Sequence, residues 1–234
     1  MPYSHLPPAD EGTEYAARSH NGESYITTGL FPVGSATHTK DDLVRCPVLA
    51  MDFDAADYLH HQLGSDSPGI REIKEILIDS SREEVEEVLE EHWEEVSRML
   101  QRAELTPTVV VMSGYGYHVY FWTECGGSDM PRMNLAARWL IHSVNTSAGY
   151  ALADTAASDA GTRLLRPPGS FNNKGQPVEV RIVSGGGPLF RVPDEIPEVV
   201  FDRNTGASST GPASSWNQSR PFAGINSAGP ARRP

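Results

Sequence analysis

The segment Cys46–Asp54, Cys-Pro-Val-Leu-Ala-Met-Asp-Phe-Asp, restricts the folds open to this chain more than any other stretch. It is apolar almost to its end, and its carboxylates come only at the last turn of the pleat. That pattern predicts a buried strand with a polar C-terminal end. Downstream, Gly69–Ile78 predicts a short helix. Ser81–Glu84 forms a capping box, behind which Val85, Val88, Leu89, Val96, Met99, Leu100 and Ala103 recur at helical spacing. Thr108–Met112 and His118–Trp122 predict two strands joined as a hairpin by Ser-Gly-Tyr-Gly-Tyr. Asp129-Met-Pro131 opens another helix running to about Ser147, with Leu135, Ala136, Trp139 and Leu140 inward, and Pro177–Val183 predicts a further strand. Strands and helices mix without strict βαβ alternation, so the expected class is α+β, or a mixed-sheet α/β.

The ends read differently. Residues 1–22 carry Pro2, Pro7 and Pro8 among small polar residues and predict a flexible leader. Residues 202–234 are rich in Gly, Pro and Ser and predict a disordered tail, with Trp216, Phe222 and Ile225 as its few apolar contacts for a partner. The hydrophobic content of 38% is low for a chain packed throughout and fits a folded block over 23–201 only. No apolar run approaches the ~20 residues of a membrane span, and the first thirty residues lack the apolar core of a secretory signal. Cys46 and Cys125 build neither a disulfide framework nor a metal knuckle. A soluble protein of the reducing cytoplasm, with no membrane partner, is the expectation.

Nineteen Lys and Arg face 31 Asp and Glu, a net charge of −12 that argues against broad electrostatic adhesion to nucleic acid. The charges are segregated, however. Twelve acids against five bases fall within Arg71–Glu104, most simply a solvated helix face, whereas five bases (Arg163, Arg166, Lys174, Arg181, Arg191) against the single acid Glu179 fall within Ala160–Arg191. A phosphate-bearing partner should meet the second stretch.

Three groups of residues carry chemistry. Asp52 and Asp54, two apart on a strand, share a face while Phe53 turns into the core. Such a pair repels itself unless a cation intervenes, and hard divalent ions take oxygen ligands. Asp57 lies nearby but out of register. In Ser113-Gly-Tyr-Gly-Tyr-His118, Gly114 and Gly116 free the backbone to turn, and turn amides can cradle a phosphate beside the His118 imidazole. Finally, Arg163-Leu-Leu-Arg166-Pro-Pro-Gly-Ser-Phe-Asn-Asn-Lys174 concentrates anion donors around a rigid corner, with Asp154 and Asp159 upstream as alternative third carboxylates.

In this order the three groups resemble the archaeo-eukaryotic primase (AEP) superfamily, specifically its primase-polymerase (prim-pol) branch. That branch shows an apolar strand ending Asp-x-Asp, a Ser-Gly-x-Gly-x-His turn, a hydrophobic-Asp motif and an Arg-x-x-Arg-hydrophobic-Pro-Gly-Ser/Thr-x-Asn-x-Lys loop. Here these are Ala50–Asp54, Ser113–His118, Ala153-Asp154 and Arg163–Lys174, over about residues 23–200. The resemblance implies Mg²⁺ or Mn²⁺ held by Asp52, Asp54 and Asp154. It implies nucleotide phosphates met by Ser113, Gly114 and His118, and a triphosphate or template strand held by Arg163, Arg166 and Lys174. It implies a small α/β module joined to an RRM-like module with a mixed sheet, near 23–105 and 107–201, with the active site between them.

The activity so implied is that of a DNA primase/polymerase. It would transfer NTP or dNTP on a single-stranded DNA template in the replication of a virus, plasmid or prokaryote, with the tail tethering a helicase or a single-strand-binding protein. Pro167 departs from the usual aliphatic residue, and neither a Cys/His zinc module nor a P-loop is present. Two rivals are a non-catalytic nucleotide- or DNA-binding module of the same fold, and an Asp-x-Asp phosphatase. The second usually follows its pair with a small Gly-Thr turn, whereas Ala55-Ala56 follow here.

Overall fold

The strand anticipated at Cys46–Asp54 runs Val48–Asp54 in the computed structural model of the protein, which describes residues 5–20, 22–64, 68–124, 127–201 and 208–210. In chain order the elements are β1 (Thr13–His20), β2 (Glu23–Pro32), β3 (Val48–Asp54), α1 (Ala55–Leu63), α2 (Ile70–Asp79) and α3 (Arg82–Arg102). They continue with β4 (Val109–Met112), β5 (Gly116–Trp122), α4 (Met130–Ala148), β6 (Leu164–Leu165), β7 (Phe171–Asn172), β8 (Val178–Glu179), β9 (Arg181–Gly185), β10 (Val199–Phe201) and β11 (Ser208–Thr210). Short 3-10 turns lie at Lys40–Asp42 and Thr155–Ser158.

A four-stranded sheet of order β3-β5-β4-β9 forms the centre, and a three-stranded sheet of order β1-β2-β6 covers one of its faces. Alternation along β3 explains the layering. Leu49, Met51 and Phe53 point to a core shared with Val96 and Leu100 of α3 and Leu140 and Ile141 of α4. The opposite face, through Val48, Val109, Val111 and Tyr120, packs on Ile26 and Leu165 of the smaller sheet and on Leu6. The order is therefore helices, central sheet, second sheet, and β3 is buried on both sides as its composition requires.

The helix signals act as read. Ser81 Oγ accepts from the Glu84 amide (3.3 Å) while Glu84 accepts from the Ser81 amide (2.8 Å), closing the box at the start of α3. Asp129 caps α4, with a proline in its first turn. All strand ladders are antiparallel, and the one parallel pairing among the described residues is the isolated bridge Thr123–Phe190. The fold is α+β, and the expected mixed sheet is corrected to antiparallel ones. Both larger sheets draw on the two halves of the chain. β3 from the first joins β4, β5 and β9 from the second, and β6 joins β1 and β2.

Other differences have local causes. The expected leader is ordered over Thr13–His20, where β1 pairs with β2 and buries Ala16. Pro177–Val183 is broken in two, because the Val180 amide turns away to donate to Ser170 O (2.8 Å) between β8 and β9. At the far end, Ser208–Thr210 of the expected tail pairs with the edge of β10. The other expectations for 202–234, including a partner docked through Trp216, Phe222 and Ile225, fall outside the described residues, as does Cys125. Among the described residues no helix is long and apolar enough to cross a membrane.

Candidate active site

At the C-terminal end of β3 the apolar alternation gives way to carboxylates on the face toward the second sheet. The β3–β5 register sets Asp52 directly opposite His118 and Asp54 opposite Gly116. That pairing depends on glycine. A Cβ at Gly116 would collide with the carbonyl oxygen of Phe53, so only glycine lets the hairpin approach β3 this closely. Gly114 lies at φ +110°, where a Cβ would come within 2.7 Å of Asn172. Asn172 is buried and donates through Nδ2 to Ser113 O (3.0 Å), which fastens the basic loop onto the hairpin. The glycines thus bring the three sequence groups together rather than leaving the turn open. The Ser113 amide donates to Gly116 O (2.9 Å) and the Gly114 amide to Met112 Sδ (3.1 Å), so both are used within the hairpin and not presented to a ligand.

The third carboxylate is Asp154. Its amide donates to Asp52 O (2.8 Å), which docks the segment after α4 on the end of β3. Asp159 lies elsewhere, in an ion pair with Lys40 (2.6 Å). One guanidinium nitrogen of Arg163, Nη2, donates both to Asp52 Oδ2 (2.7 Å) and to Asp154 Oδ2 (3.0 Å). Lys74 of α2 pairs with Asp54 Oδ2 at 2.8 Å. Asp54 Oδ1 and Asp154 Oδ1 cap α1 and the Thr155–Ser158 turn through the amides of Ala56 (2.9 Å) and Ala156 (2.8 Å).

Electrostatics follow this geometry. Burial works to raise the Asp52 carboxyl, but His118, charged only in the acid range where Asp52 titrates, and the Arg163 and Lys174 cations outweigh it and hold the group below its ordinary range. Burial drives His118 down to about 4, against the pull of Asp52, so its imidazole is neutral at pH 7. Its Nε2 lies 3.8 Å from Asp52 Oδ1 and its Nδ1 lies 3.4 Å from the Tyr120 hydroxyl. At 4% exposure His118 backs the carboxylate from within rather than meeting a phosphate at the surface. Lys174 is exposed, and its charge reaches Asp52.

Arg166 has another environment. It is 9% exposed and its Nη2 donates to Glu23 Oε2 (2.8 Å) and to the Tyr25 hydroxyl (3.0 Å). Tyr25 also donates to Glu23, and the Asn173 amide donates to Glu23 Oε1 (2.9 Å). The guanidinium expected on a triphosphate instead ties the basic loop to the start of β2.

The carboxylates offer hard oxygen donors, the kind Mg²⁺ and Mn²⁺ take. In this arrangement they do not fit such an ion. The facing oxygens of Asp52 and Asp154 are bridged by Arg163, Asp54 holds Lys74, and the remaining oxygens of Asp54 and Asp154 cap helical turns. Among the described residues no group of three or more His, Cys, Asp or Glu is set to hold a metal.

No family model matches this chain, and no curated protein does. Among solved structures it is similar to the AEP domain of the cyanophage S-2L primase-polymerase. The TM-score is 0.43 and the identity 17%, over 72% of this chain and 65% of that one.

Asp57, set aside in the sequence as out of register, belongs to the site, and Lys74 and Glu23 join it unread. β3 runs straight into α1 at Asp54, so Asp57 falls in the first helical turn beside it. Burial, then the charge of Asp54, pushes the Asp57 carboxyl up to about 6. The missed signal was the short helix itself, whose wrap brings position i+3 back to the cluster. Lys74 and Glu23 meet their partners only through tertiary packing.

Proposed function

We propose that this chain is a template-directed nucleotidyltransferase of the primase-polymerase type, acting on NTP or dNTP along a single-stranded DNA template, and that it belongs to the AEP superfamily. One observation carries the proposal. Three segments far apart in the sequence meet at a single point, where Asp52, opposite His118 in the sheet, and Asp154 share Arg163, and where Asp52 lies within electrostatic reach of the exposed Lys174. A carboxylate cluster beside an exposed loop lysine suits a polyphosphate whose reacting oxygens must be held in line, a reaction that asks for positioning and charge more than covalent chemistry.

In this reading Lys174 meets the triphosphate as a point charge. Asp52 and Asp154 face the reacting end, and the neutral His118 fixes Asp52 from behind. The Glu23–Arg166 pair positions the loop and touches no substrate. The test is extension of a labelled primer on a single-stranded template in Mg²⁺ or Mn²⁺, with an unprimed reaction alongside and the Asp52→Asn variant as control. Products that are made by the wild type and lost in a folded Asp52→Asn variant are expected. Absence of product from folded wild type, or undiminished product from the variant, would refute the assignment.

A further inference from the structure

The position between Asp52 and Asp154 is filled by a side chain of this protein. Arg163 reaches it from the segment after the Gly161 turn and joins two carboxylates that stand 111 and 9 residues away in sequence. All three side chains keep some access to solvent, at 19% for Arg163, 26% for Asp52 and 35% for Asp154, so the bridge can be reached from outside. Without it, two carboxylates held together by the Asp154–Asp52 backbone hydrogen bond would repel each other. Lys74 plays the same part for Asp54 through a single, more exposed contact.

We propose that Arg163 is a resident counter-cation of the carboxylate cluster, which excludes divalent ions from the free protein until a polyphosphate draws the guanidinium away. The chemistry of the groups supports this exchange. A guanidinium binds phosphate oxygens at least as well as carboxylate oxygens and in the same forked geometry. Its departure leaves facing carboxylate oxygens uncompensated, the condition under which a hard divalent cation is taken up. Lys174, exposed two residues beyond the Asn172 that fastens the basic loop to the hairpin, gives an arriving polyphosphate a cation to meet first. The free cluster remains neutralised from within. The polyphosphate half of this proposal rests on the nucleotidyl-transfer reading, whereas the exclusion half concerns the free protein alone.

The exclusion half is tested with Mn²⁺ alone on the full chain, by following free Mn²⁺ through its electron paramagnetic resonance signal and the melting temperature as Mn²⁺ is added. Arg163→Gln should bind Mn²⁺ at least ~10-fold more tightly than the wild type, the scale of one lost charge-assisted contact, and should gain more in melting temperature from the ion. Adding Asp154→Asn to Arg163→Gln should abolish that gain. Equal or weaker binding by Arg163→Gln, or a gain that survives Asp154→Asn, overturns the proposal. Should Arg163→Gln fail to fold, Arg163→Lys decides. It keeps the charge, but its ammonium ends one bond short of the Nη2 that makes both contacts, so tighter Mn²⁺ binding than wild type supports the proposal and equal or weaker binding overturns it. No nucleotide is present, so failure here is distinct from failure of primer extension.

Discussion

Replacing Glu23 with Gln should be among the most damaging single changes in this protein, although Glu23 lies outside the Asp52–Asp154–Arg163 cluster. The residue is 9% exposed and accepts from Arg166, Tyr25 and the Asn173 amide. Burial works against its charge, but those hydrogen bonds outweigh burial and hold the carboxyl at about 2. The amide of Glu23→Gln removes the charge and leaves the Arg166 guanidinium buried without a counter-ion. Breaking a buried pair from one side costs about 3–5 kcal/mol, whereas Tyr25→Phe removes one neutral partner and should cost about 1 kcal/mol. Urea unfolding of the two variants beside wild type measures the difference. Glu23→Leu combined with Arg166→Met removes both charges and should recover more than half of the loss, as apolar replacements of buried pairs do. A depressed carboxyl stabilises the fold fully above its unfolded value near 4.5, and that contribution drains as pH falls toward 2. The acid limb of a stability-against-pH curve should therefore flatten in Glu23→Gln. A cost below about 1 kcal/mol for Glu23→Gln would refute the claim that this pair holds the loop.

Gly116→Ala should destabilise by about 1–3 kcal/mol or more through its clash with Phe53, as overpacked sites do. Gly12→Ala, strained only by φ +78° with open space around it, should cost about 1 kcal/mol; thermal melts compare the two. His92 is fully buried between Tyr58 and Tyr117, neither ring nitrogen has a hydrogen-bond partner, and burial drives it down to about 3. Its neutral form supports the fold above pH 6.5, and that support is lost as pH falls toward 3, so His92→Phe should melt higher at pH 4–5 and lose less on acidification than wild type. Lys174→Ala should raise the KM for nucleotide about 10-fold, the scale of one charge-assisted contact, with a smaller change in kcat measured by steady-state incorporation.

What was legible in the sequence was local. The capping box at Ser81–Glu84, the proline start of α4 and the two-sided apolar run of β3 each state their structure within a few residues, and each folds as it reads. The class, α+β, followed from their order. β1 and α1 went unread because Thr13–His20 and Ala55–Leu63 are neither strongly periodic nor apolar and take their conformations from the sheet and strand they adjoin. At the site, the period of two along β3 was enough to place Asp52 and Asp54 on one face, and the hairpin was enough to bring His118 near. The partners of the charges were not legible. Arg163 and Arg166, three residues apart in one loop, go to different carboxylates on different elements, and only the pairing of β6 with β2 settles which is buried. The same holds for Asp154 against Asp159, which a backbone hydrogen bond to Asp52 and a surface lysine separate.

The phosphate product tests the nucleotidyl-transfer assignment most directly. With deoxynucleoside triphosphates, a divalent ion and a single-stranded template, the wild type should release pyrophosphate in proportion to nucleotide incorporated, and release should require the template and vanish in Asp52→Asn. Orthophosphate as the product, or pyrophosphate released equally without template, would contradict it.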